Sequence, residues 1–136
     1  MKALVVETSS TMRAVLHRIL CMRGFEVSEA ENGQQALDIS RRMGQVDIVF
    51  VDWTLREMNS LEFIVRLRHE TAPDTMVLML AAREPEVHEV QTALVAGAND
   101  YLTKPFTAQQ IDEKMTRAGL TWEWDRYRDR SVLPCR

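Results

Sequence analysis

Glycine is scarce in this chain. There are five glycines in 136 residues, and none lies between Glu7 and Gly24. The hydroxyl-rich stretch after Glu7 therefore lacks the glycine that lets a backbone close on a phosphate. Cysteine is scarcer still. Cys21 falls inside a helical pattern and Cys135 is next to the C-terminus, and neither has the CxxC spacing of a redox or zinc site. The expectation is two reduced thiols. His17, His69 and His88 form no pair at helical ligand spacing, so they read as surface or helix-face residues rather than metal ligands. No apolar run approaches the roughly 18 residues that span a bilayer. The apolar part of "MKALVV" is also shorter than the roughly 7–15 residues of a signal-peptide core. Charge of one sign is lacking too: the net charge is −3, which offers nothing to nucleic acid or an anionic membrane. These absences leave a cytoplasmic globular chain, long enough for one domain with a single core.

What is present alternates from end to end. "KALVVE" (2–7) is a continuous apolar run, as expected of a strand buried on both faces. Met12, Val15, Leu16, Ile19 and Leu20 repeat at helical spacing, with Ser9 or Ser10 as cap and Gly24 as stop. "FEVSEA" (25–30) alternates as a second strand, and "NGQQALDISRRM" (32–43) reads as a helix capped by Asn32. "VDIVFVD" (46–52) is the third strand. Asn59 or Ser60 opens a third helix through Leu61, Ile64 and Leu67 that ends before Pro73. "TMVLML" (75–80) is the fourth strand; Val87, Val90 and Leu94 mark the fourth helix, ended by Gly97. "DYLT" (100–103) is the fifth strand, and Thr107 caps a fifth helix with Ile111, Met115 and Ala118 on one face. Five βα units in series predict an α/β domain over residues 1–119: a doubly wound parallel sheet with right-handed crossovers.

In such a sheet, ligands bind beyond the carboxyl ends of the strands, near the switch in strand order. Strand one ends at Glu7, strand three at Asp52, strand four at Ala81 and Ala82, and strand five just before Lys104. With order 2-1-3-4-5, Glu7 and Asp52 are neighbours at the switch point and Lys104 faces them. Asp52, at the tip of its strand, is expected to be ionised, held by a cation, and reachable.

"MRAVLHRIL", "AENGQQAL", "DWTLREMNSLEF" and "AGANDYLTKPF", in that order and spacing, resemble the receiver domain of two-component response regulators. The likeness is greatest to the single-domain CheY-like chemotaxis type and covers roughly residues 1–118. The resemblance implies the flavodoxin-like, CheY-like (βα)5 fold. It also implies that Asp52 accepts a phosphoryl group from a histidine kinase or phosphotransfer protein. Lys104 then contacts a phosphoryl oxygen, Lys104–Pro105 is a cis peptide, and Tyr101 is the aromatic switch residue. Mg²⁺ is held by Asp52, Glu7 and the backbone carbonyl of Thr54, and a downstream protein reads the face made by strand five with helices four and five. Such a domain is not an enzyme beyond its own phosphorylation and dephosphorylation.

The pattern breaks in several places. Thr8 stands where the family has a second acid, which predicts weak magnesium binding because the ion commonly takes one or two carboxylates. Ala81 stands where the family has Thr or Ser. Losing a hydrogen bond to a charged group removes roughly 1.5–3 kcal/mol of coupling. Arg56 replaces the usual Pro, and Ser60 the usual Gly. Two other readings stay beside the phosphoacceptor: a phosphorylation-independent pseudo-receiver that binds a partner through the same face, and a flavin-binding, flavodoxin-like module. Residues 120–136 read as a helical extension or tail. There, Trp122 and Trp124 could cover the domain or form a docking or homodimer surface. Interleaved acids Glu123, Asp125 and Asp129 argue against nucleic acid.

Overall fold

The computed structural model describes residues 1–119, and the tail with its two tryptophans lies outside them. Ten elements alternate: β1 (Lys2–Val6), α1 (Ser10–Cys21), β2 (Glu26–Ala30), α2 (Gly33–Met43), β3 (Ile48–Asp52), α3 (Ser60–Glu70), β4 (Met76–Ala81), α4 (Val87–Ala96), β5 (Asp100–Thr103) and α5 (Ala108–Arg117). The five strands form one parallel sheet in the order β2-β1-β3-β4-β5, as expected. The three central strands are buried along almost their whole length, which is why they read as unbroken apolar runs. Their alternate residues feed two cores. Val49 and Val51 join Phe63, Ile64 and Leu67 on one face; Ile48 and Phe50 join Leu16, Leu20, Ile111 and Met115 on the other.

The caps follow the sequence. Ser9 accepts from the Met12 N–H at 3.2 Å, Asn32 from Gln35 at 2.8 Å, Asn59 from Glu62 at 2.8 Å and Thr107 from Gln110 at 3.1 Å. Each satisfies one of the orphan donors of a first turn. Gly97 ends α4 with φ +127°, where an added Cβ would lie 2.7 Å from the Arg68 Cγ. Both the backbone and the space there require glycine.

Val87, Val90 and Leu94 mark α4 as expected, but Val87 and Leu94 are 74% and 47% exposed, and Ala93 is the buried residue. The helix lies against the sheet through its small residue, so the larger aliphatic side chains face outward. Cys21, expected as a reduced thiol, is disulfide-bonded.

Candidate functional site

The carboxyl ends of β1, β3 and β5 bring Glu7, Asp52 and Lys104 together. β1 and β3 are adjacent and parallel, with Val6 opposite Val51, so the next residue of each strand projects at the same rim. β5 lies two strands away. The Lys104 side chain reaches back over β4, its N–H anchored to the Ala81 carbonyl at 2.8 Å. Its Nζ lies 2.9 Å from Glu7 Oε2 and 3.7 Å from Asp52 Oδ1. The Lys104–Pro105 peptide is cis, as the resemblance implied.

The acids are more enclosed than a reachable rim acid was expected to be. Glu7 is 1% exposed and Asp52 3%. Thr8 and Thr54 close over Asp52. The Thr8 hydroxyl donates to Oδ2 at 3.1 Å; the Thr54 N–H and hydroxyl both donate to Oδ1 at 3.0 Å. The Ser9 N–H donates to Glu7 Oε1 at 3.2 Å. Of the "ETSS" hydroxyls, Thr8 serves the carboxylate and Ser9 the helix cap. Outside Thr8 a pocket of 460 Å³ opens, lined by Thr8, Ser9, Glu31, Asn32, Arg56 and Glu57. Arg56, noted in the sequence only as a departure from Pro, lines this mouth. Glu57 beside it has φ +67°, the uncommon left-handed region for a residue with a Cβ.

Burial pushes the Glu7 carboxyl up, and the Lys104 bond only partly offsets it. Burial also acts to raise Asp52, but the Thr54 N–H, the Glu7 hydrogen bond and Lys104 together hold it below its ordinary value. Of the two acids, Glu7 is therefore the one that takes up a proton first as pH falls. An acid whose folded value is raised binds more protons folded than unfolded above its ordinary value of 4.5. Its contribution to stability then falls as pH rises through that window. Glu7→Gln removes this dependence. Urea unfolding from about pH 4 to pH 8 is expected to show the variant gaining on the wild type as pH rises above the ordinary glutamate value, with no difference in slope below it. Asp52 acts oppositely: its contribution is present above 3.8 and lost as pH falls below.

The donor set fits a directly held magnesium ion poorly. All four oxygens of the two carboxylates already accept a hydrogen bond from the chain: Asp52 Oδ1 from Thr54, Oδ2 from Thr8, Glu7 Oε1 from Ser9 and Oε2 from Lys104. Among the described residues, no group of three or more His, Cys, Asp or Glu is placed to hold a metal.

Beyond the acids, Tyr101 meets a partner the sequence did not reveal. Its hydroxyl donates to Glu84 Oε1 at 2.6 Å, and the Thr103 hydroxyl donates to Glu84 Oε2 at 3.0 Å. These bonds lower the Glu84 carboxyl and raise the tyrosine. The Tyr101 ring stands edge-on to Trp53, with centroids 6.5 Å apart, and Lys114 Nζ lies 5.4 Å from its centre. Ala81, buried at the end of β4 opposite Thr103, presents no hydroxyl. No signal in the sequence identified Glu84, because the contact joins an irregular loop to a strand.

Known proteins share this fold. The response regulator receiver domain family matches residues 3–116. The chain belongs to that family. A chemotaxis protein CheY homolog of Campylobacter jejuni is 40% identical over 116 residues, covering 85% of this chain and 89% of that one. Among solved structures, the chemotaxis protein CheY4 of Vibrio cholerae superposes with a TM-score of 0.77 at 27% identity, over 86% of this chain and 97% of that one. The receiver domain of a Saccharomyces cerevisiae response regulator was solved with its histidine phosphotransfer signaling protein. It superposes with a TM-score of 0.76 at 26% identity, over 88% of each chain. The protein is thus a CheY-like receiver of two-component signalling, a signalling domain rather than a classical enzyme. Among the described residues of this receiver, no helix is long and apolar enough to cross a membrane.

Proposed function

We propose that the receiver is a phosphoacceptor, and that Asp52 takes its phosphoryl group from the phosphohistidine of a kinase or phosphotransfer protein. The observation that carries this reading is the convergence of the Lys104 ammonium on an Asp52 carboxylate held ionised by Thr54. An Asp52 oxygen attacks phosphorus in line; the P–N bond breaks, and its electron pair leaves on the imidazole, which takes up a proton. Lys104 pairs with a phosphoryl oxygen as a compact point charge. The donor approaches through the pocket lined by Thr8, Asn32 and Arg56, turning aside the exposed Thr8 hydroxyl. Receivers generally bind Mg²⁺ at the acid pocket. In this chain the ion is weakly held at most, and no step depends on it. A receiver domain bound to a histidine phosphotransfer protein among the structural neighbours supports that class of partner. The output is read by a protein on the face of β5, α4 and α5, in the cytoplasm, without nucleic acid.

The test is chemical. Purified protein is incubated with a small acyl phosphate and examined by intact-mass spectrometry. A single base-labile adduct of one phosphoryl group is expected, absent in Asp52→Asn. If no adduct forms under any condition, or if Asp52→Asn still labels, the phosphoacceptor reading fails. Ala81 and the near-complete enclosure of Asp52 favour a second reading, a pseudo-receiver that binds its partner without phosphorylation. Binding of that partner undiminished in Asp52→Asn is what that reading expects.

A further inference from the structure

We infer that this acid pocket is neutralised by the chain itself: the Thr8 hydroxyl and the Lys104 ammonium hold Glu7 and Asp52 together in place of a divalent cation. The receiver's fold and pocket are therefore indifferent to magnesium. The inference starts from the Asp52 pocket of the preceding section, but it concerns the unphosphorylated protein.

Two carboxylates enclosed side by side need compensation for desolvation and for mutual repulsion. A divalent ion can supply it when carboxylate oxygens are turned toward a common point. Here they are turned toward donors. Lys104 Nζ sits between the two acids, 2.9 Å from one and 3.7 Å from the other. Thr8 donates to Asp52 Oδ2 at 3.1 Å from the position immediately after Glu7. The Thr54 N–H and hydroxyl complete Asp52, and the Ser9 N–H completes Glu7. A hydroxyl carries no charge, so Thr8 adds no third carboxylate for an ion to offset. It also supplies a donor where a carboxylate would supply only acceptors. A bound ion would have to break the Thr8 hydrogen bond and sit near a fixed ammonium, losing affinity on both counts. In this arrangement Thr8 is a positioning residue that acts through Asp52.

The experiment uses magnesium chloride alone, on unlabelled full-length protein. Thermal unfolding is followed in EDTA and in millimolar magnesium, together with isothermal titration of the ion. The wild type is expected to melt at the same temperature in both and to give no saturable heat. Thr8→Asp, which adds a third acid, is expected to melt several degrees lower in EDTA, to recover in magnesium and to titrate saturably. Thr8→Val and Thr8→Ser keep the question decidable if Thr8→Asp does not fold. Valine keeps the shape and loses the donor, so it is expected to melt below wild type, whereas serine matches it. A saturable magnesium-dependent rise in the wild type overturns the inference. So does a valine variant indistinguishable from wild type. Neither result bears on acyl phosphate labelling, so the failure of this inference and the failure of the phosphoacceptor reading are separate outcomes.

Discussion

With methionine at position 104, the unfolding free energy is expected to fall by about 3–5 kcal/mol at neutral pH, the range for removing one partner of a buried ion pair. Methionine keeps the length of the lysine stem and its packing but leaves Glu7 and Asp52 without their cation. Both acids are almost wholly enclosed, so water cannot replace the ammonium. Of the groups that lower the Glu7 carboxyl, Lys104 is the largest, so its loss lets burial push that carboxyl further up. Glu7 then relieves the repulsion by keeping its proton. The cost of the substitution is accordingly smaller in mild acid than at neutral pH, and grows as pH rises. Urea unfolding of both proteins at two pH values measures this difference. The same substitution removes the only cation paired with Asp52 among the described residues, so acyl phosphate labelling is expected to fall by roughly 10²–10³-fold. That is the range seen when a preorganised donor to developing charge is removed. A Lys104→Met protein as stable as wild type at neutral pH would show that the ammonium does not hold the acids together.

Phe50→Ala is expected to cost about 3–5 kcal/mol. Phe50 is fully buried in the central strand β3, between Val5 of β1 and Leu78 of β4. Its ring packs in the core shared with α1 and α5. The neighbours belong to three adjacent strands and cannot collapse into the void without disturbing the sheet. For a domain of ordinary stability, about 5–15 kcal/mol, the loss is roughly a fifth or more of the total. At about 3–6 °C per kcal/mol for a domain of this size, the melting temperature is expected to fall by roughly 10–25 °C. Val95→Ala is the control: Val95 is 90% exposed, and its truncation is expected to change stability by less than about 0.5 kcal/mol. Calorimetry of the two variants side by side gives the comparison. Because Phe50 lies two residues before Asp52, the labelling of its folded fraction at low temperature also reports whether β3 keeps its register.

The order of elements was legible because the central strands are apolar throughout and the helix caps are local. Ser9, Asn32, Asn59 and Thr107 each bond an N–H within three residues, so sequence spacing alone locates them. Burial on α4 was not legible. Val87 and Leu94 are apolar, but the helix meets the sheet through Ala93, and periodicity does not tell which side of a weakly amphipathic helix faces in. The convergence of Glu7, Asp52 and Lys104 followed from strand order once the parallel fold was accepted. The degree of enclosure did not follow, because it depends on the Thr8 and Thr54 hydroxyls turning over the carboxylate. Glu84 was invisible for the same reason: its partners lie 17 and 19 residues away in the chain.

The Glu84 carboxylate grips Tyr101 with one oxygen and Thr103 with the other. A protein that rotates the tyrosine ring must either break the shorter of these two bonds or drag the segment after β4 along with it. Glu84 lies three residues beyond Ala81, the last residue of β4, whose carbonyl anchors the backbone of Lys104. One carboxylate thus ties the aromatic ring to Thr103, the residue immediately before Lys104, a connection that needs no hydroxyl at position 81.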